Sequence, residues 1–143
     1  MKRYCSKENY LQTASAIENG LEYQQSIDKG DLVAMRDAER RLGLSNYFTL
    51  GDCKITSVIK QENDLIINFD NSQGVTKYKQ LVLHNGQIIE QEYPLVGSFF
   101  IHHDFYYQAG IYTFYNLIWS PESQEPQGLG YLTFTATNIE FMS

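Results

Sequence analysis

From Cys53 to the C-terminus the hydrophobic residues repeat with a period of two, and that alternation commits about ninety residues to strands. Successive strand side chains point to opposite faces, whereas a helix returns to the same face every 3 to 4 residues. Turn-forming residues arrive at the spacing of an antiparallel meander, which predicts about seven strands. Leu65, Ile67 and Phe69 alternate with Ile66, Asn68 and Asp70 after a turn across Gln61 to Asp64. Tyr78 to His84 and Gln87 to Tyr93 flank Asn85-Gly86, a pair suited to the positive φ angles of a type I′ turn, so the two runs are expected to form a hairpin with Lys79 opposite Glu92.

A longer hairpin is expected between Ser98 to Tyr107 and Ile111 to Ser120, around Gln108-Ala109-Gly110. Pairing Tyr107 with Ile111 places Phe99, Ile101, His103 and Phe105 with Thr113, Tyr115, Leu117 and Trp119. The other face then carries Phe100, His102, Asp104 and Tyr106 with Tyr112, Phe114, Asn116 and Ile118. Because both faces are largely apolar, this hairpin is central and covered on each side, or uses one face for binding. In the last strand, Tyr131 to Phe141, the inward set switches from Leu132, Phe134 and Ala136 to Ile139 and Phe141, which predicts a bulge near Asn138.

The first fifty residues have helical period. Tyr10, Ala14, Ile17 and Leu21 form one stripe that Ser6 can cap, and a second helix is expected from about Asp31, burying Leu32, Met35, Ala38 and Leu42 and ending at Gly43. The fold class is therefore α+β. N-terminal helices (about 1–50) pack on a mostly antiparallel sheet (about 51–143), open or strongly curved into a barrel, in a single domain of 143 residues.

Charge narrows the partners. Residues 80 to 143 contain no lysine or arginine but hold six carboxylates and thirteen of the twenty aromatic residues. Nucleic acid and anionic membranes need cations to meet their phosphates, so neither is an expected partner of this half; a basic protein is. No stretch is long and apolar enough for a membrane span or a signal peptide, and the two cysteines, Cys5 and Cys53, form no CxxC, which leads to the expectation of a cytoplasmic protein with reduced thiols. The histidines lack any metal-ligand spacing, and no glycine-rich phosphate loop is present, so no metal or cofactor is expected.

His102, His103 and Asp104 form the one cluster able to carry chemistry. His102 and Asp104 share a strand face and could move a proton, which defines a hydrolase-like reading, though no nucleophile stands nearby in sequence. His103 falls in the apolar row opposite Tyr115 and is expected to be structural. The leading expectation is a non-enzymatic domain that binds a cationic protein through an acidic, aromatic-rich sheet surface, with Glu90, Glu92, Asp104, Tyr106 and Tyr112 as contacts. The alternative is a small-ligand carrier with a pocket of Phe99, Phe105, Tyr115 and Trp119 inside a curved sheet.

Helices followed by a long antiparallel run opening at Gly51-Asp52 resemble small bacterial α+β domains, among them immunity-type proteins that neutralise a toxin. The resemblance covers about the last ninety residues. It implies a non-enzymatic inhibitor and assigns no site residue.

Overall fold

A computed structural model describes residues 3–12, 27–45, 48–124 and 128–143. Their strands form one antiparallel sheet: β1 (Lys54–Gln61), β2 (Asp64–Asp70), β3 (Gln80–His84), β4 (Gln87–Gln91), β5 (Phe99–Gln108), β6 (Ile111–Trp119), β7 (Leu129–Ala136) and β8 (Asn138–Met142). The hydrogen-bonded order is β4-β7-β6-β5-β1-β2-β3-β8. This is the α+β class expected, with eight strands in place of about seven.

The extra strand arises because the last expected strand, Tyr131 to Phe141, breaks at Thr137 into β7 and β8, opposite a bend where a hairpin was expected. β3 pairs with β8 from Gln80↔Met142 to His84↔Asn138, and β4 continues the same register against β7 from Gln87↔Thr135 to Ile88↔Phe134, before a bulge between Ile88 and Glu90. β3 and β4 are thus two halves of one bent strand, and β8 and β7 are the halves of its partner. Lys79 does not face Glu92; its N–H donates to the carbonyl of Met142 (2.8 Å). A type I′ turn needs positive φ at both central residues, and here Asn85 has it (φ 51°) but Gly86 does not, so the chain kinks without reversing. The pair that meets the requirement is Ala109 (φ 54°) and Gly110 (φ 81°), which join β5 to β6.

That two-residue turn also corrects the register of the long hairpin. Tyr107 pairs with Tyr112, not Ile111, so Asp104 faces Tyr115 and His103 faces Asn116. A bulge between Phe100 and His102 then puts Phe100 on the same side as His103 and Phe105, although their spacing is irregular. The inward set does switch across Thr137, between β7 and β8, but as a break in the strand that keeps the register and not as the bulge expected near Asn138.

The concave side is packed with aromatic rings. Phe105 stacks on Phe114 (4.1 Å between centres, 2° between planes), and Phe48 touches Tyr78, His103, Phe105 and Phe141. Ile55, Ile67, Leu81, Leu83, Leu132 and Phe134 complete this core, all fully buried. The aromatic excess of the sequence is therefore spent mainly on packing, at an interior density that tolerates few voids.

Two helices lie among the described residues, α1 (Lys7–Gln12) and α2 (Lys29–Arg41). Ser6 caps α1 as expected, its Oγ accepting from the Asn9 N–H (3.1 Å). The rest of the Tyr10 to Leu21 stripe lies outside the described residues. Helix α2 starts two residues before Asp31, because Asp28 supplies the cap by accepting from Gly30 N–H (2.9 Å). It ends at Gly43 (φ 74°), where Leu44 N–H bonds Glu39 O and Gly43 N–H bonds Arg40 O, the two bonds of a Schellman motif. Met35 and Ala38 are buried, Leu32 and Leu42 half-buried, and α2 packs on β5.

At the bend, a Cβ on Gly86 would lie 2.7 Å from both the carbonyl oxygen and the Cβ of Leu83. Backbone cannot yield cheaply there, so Gly86→Ala should lower unfolding free energy by ~2 kcal/mol or more in urea titration. Asn85→Gly should cost less, under about 1 kcal/mol in the same assay, because glycine suits the left-handed position but loses the bond from Asn85 Nδ2 to Thr137 Oγ1.

Candidate peptide-binding face

The corrected register builds a row across four strands on the convex side. Asp104 on β5 faces Tyr115 on β6, Tyr115 faces Thr133 on β7, and Thr133 faces Glu90 on β4. The chain's own N-terminal segment lies over this row. Tyr4 and Cys5 donate their backbone N–H groups to the same oxygen of Asp104 (2.6 and 2.7 Å), a carboxylate only 1% exposed. A buried charge needs such compensation, since an unpaired one is costly to keep from water.

Arg3 reaches the other end of the row. Its Nη1 donates to Glu90 Oε1 (2.5 Å) and Thr133 Oγ1 (3.4 Å), its Nη2 to the carbonyl of Asn116 (2.5 Å), and its Nε to the carbonyl of Cys5 (3.0 Å). The guanidinium carbon sits 4.1 Å from the ring centre of Tyr131 and 5.2 Å from that of Tyr115, within cation–π range. Burial disfavours the charge, but Cys5 and Glu90 outweigh it and hold the Arg3 pKa above its ordinary value. Beside it, Lys7 Nζ pairs with Glu92 (3.4 Å) and the Lys7 N–H donates to the Tyr131 hydroxyl (3.1 Å).

Tyr4 locks the segment to α2. Its hydroxyl donates to Asp31 (2.5 Å) and accepts from the Asp28 N–H (3.2 Å), while Tyr4, Ile27, Met35 and Tyr106 form a second buried cluster. Burial, then the bond to Asp31, pushes the Tyr4 hydroxyl pKa up.

Of the five contacts expected from sequence, Glu90, Glu92 and Asp104 come together on this face. Tyr106 and Tyr112 are buried, Tyr106 under Tyr4 and Tyr112 in the main core. Arg3, Lys7, Thr133 and Tyr131 were missed. The signal for them was the complement of the one read: the cations absent after Lys79 recur at the N-terminus, in Lys2, Arg3 and Lys7. The four residues of the expected pocket do not meet in one cavity. Phe105 is in the concave core, Tyr115 is on the convex side with Arg3, and Phe99 packs at a tilt against Trp119, which is 40% exposed. A cleft of about 390 Å³ between Gly43, Phe48, Thr49, Thr76, Lys77 and Tyr78 contains none of them.

The histidines divide by face. His102 packs edge-on against Tyr10 of α1 (5.4 Å), and burial lowers its pKa despite the charge of Asp104. His103 lies among Phe48, Phe105 and Phe114, with burial pushing its pKa down to about 3. It faces Asn116 in place of the expected Tyr115. His84 bridges Asp64 on β2 and Glu140 on β8 (3.2 Å each), and the bond to Glu140, with the pull of Asp64, raises its pKa against the opposing effect of burial. The thiols are poor nucleophiles: burial pushes Cys5 well up and Cys53 to about 11. Among the described residues no group of His, Cys, Asp and Glu has the arrangement to hold a metal ion, and no helix is long and apolar enough to cross a membrane.

Asp104→Ala should cost ~2 to 4 kcal/mol in denaturant unfolding, because it orphans two buried N–H groups. It should also speed tryptic cleavage after Arg3 and Lys7, the segment those bonds hold. A raised histidine pKa contributes stability that is complete below the unfolded value of 6.5 and is lost as pH rises through the folded value. The stability difference between wild type and His84→Gln should therefore shrink as pH rises above 6.5, while His102 and His103, with lowered values, tilt the background of both proteins the other way. No family model, no curated protein and no solved structure matches this chain.

Proposed function

We propose that this protein is a non-enzymatic binding domain whose convex sheet face recognises a basic protein partner. One observation carries the reading: the face already holds an arginine and a lysine in cis, through Glu90 and Glu92, against the rings of Tyr115 and Tyr131. Both glutamate side chains stay accessible, 44% and 39% exposed, so charge on this face reaches an approaching partner. Tyr115 and Tyr131, half-buried, take the anchoring role that sequence reasoning gave to Tyr106 and Tyr112. A toxin-neutralising inhibitor of the immunity type is the instance to which the resemblance points.

The carrier reading is less favoured because the concave side is filled by stacked rings. The hydrolase-like reading has His102 beneath Tyr10 and no activated thiol beside it.

Surface plasmon resonance with partners recovered on the immobilised chain tests the proposal. The on-rate should fall as salt rises, and Glu90→Lys with Glu92→Lys should slow association by about tenfold or more. Tyr131→Ala should chiefly speed dissociation. Recovery of nucleic acid, or an on-rate indifferent to salt and to the reversals, would overturn the reading.

A further inference from the structure

We propose that the cage around Arg3 is an arginine-recognition site, filled in cis by residues 3–7 until an arginine of the basic partner replaces Arg3. This rests on the binding reading above and specifies its ligand. Among the described residues, every group that reads the guanidinium, apart from the Cys5 carbonyl, belongs to the sheet: Glu90, Thr133, the Asn116 carbonyl, Tyr115 and Tyr131. Glu90 is held in place by a hydrogen bond from the Thr133 hydroxyl (2.8 Å). The acceptors are spread over three nitrogens of one planar head, with a ring face 4.1 Å from its carbon. An ammonium is a compact point charge without that fork, so lysine fills the site poorly.

The contacts next to the cage are ones that other peptides can reproduce. Asp104 takes the backbone N–H groups of the first and second residues after Arg3. An incoming segment therefore needs an arginine followed by two residues with free N–H groups, which excludes proline at both positions. Because the resident segment competes, the apparent affinity of a partner is reduced by the fraction of molecules whose cage is occupied. Recognition would then proceed by exchange of one arginine for another, with the buried charge of Asp104 compensated before and after.

The test uses the full chain carrying Arg3→Ala, which empties the cage while leaving the Tyr4 and Cys5 bonds to Asp104. The probe is the capped peptide acetyl-Arg-Tyr-Ser-Ser-amide, followed by NMR of Tyr131, Thr133 and Glu90. Saturable shifts at these residues are expected, about tenfold weaker in the wild type, where Arg3 competes. Replacing arginine by lysine should weaken binding similarly. Arg3→Lys serves as a second variant that retains the charge, and it should bind the probe with intermediate strength. Equal binding by wild type and both variants, equal binding of the lysine peptide, or no saturable shift in either variant would overturn the inference. If that happened while the on-rate of a basic partner still responded to salt and to reversal of Glu90 and Glu92, the arginine cage would fall and the broader binding reading would stand.

Discussion

The bent ribbon of residues 80–91 against 132–142 is the constraint on which the rest of the structure depends. Its two strands keep one register through the kink at Asn85 and Thr137, where Asn85 Nδ2 donates to Thr137 Oγ1 (2.9 Å) and Thr137 N–H donates to His84 O (2.9 Å). One half lies at the β8 end of the sheet and the other at the β4 end. β4 and β8 do not pair, so the sheet is not closed, yet a continuous ribbon can serve both ends only if the sheet curls. Curvature gives each strand a concave side that holds the aromatic core and a convex side left for other uses.

On that convex side, an imbalance of the linear sequence is settled by folding. After Lys79 the chain carries carboxylates and no lysine or arginine, while a set of cations stands near its N-terminus, and the fold brings Arg3 to Glu90 and Lys7 to Glu92. Exposed pairs of this kind contribute little to stability, ~0 to 1 kcal/mol each. Asp104 differs because it is buried and answers two backbone donors, so it orders the segment while the glutamates and the two tyrosine rings set what the face can recognise. Holding the segment and advertising a charged surface are thus tasks of different residues in one cross-strand row.

The comparison of expected and observed register shows how small an error relocates a site. Pairing Tyr107 with Ile111 put Asp104 beside Phe114 and Asn116; pairing it with Tyr112 puts Asp104 opposite Tyr115 and, through β7, in line with Glu90. A one-residue slip changes cross-strand neighbours all along the hairpin. The bulge at Ile101 was equally invisible, because a run of Phe, Phe, Ile and His satisfies either face.

By itself the sequence determined the helix-then-strand order, the caps at Ser6 and Gly43, the alternation of Leu65, Ile67 and Phe69, the change of inward set before Ile139 and the charge asymmetry. These are local properties: periodicity, capping chemistry and composition act over a few residues and are legible wherever they occur. Only the tertiary structure decided whether Asn85-Gly86 reverses or bends the chain, which tyrosines are buried, and that the carboxylates meet residues about a hundred positions away. A turn dipeptide constrains φ but not the partner waiting for each strand, and a carboxylate carries the same charge whichever cation folding brings to it. Those outcomes depend on long-range pairing, which is settled by the joint packing of the sheet and leaves no local mark.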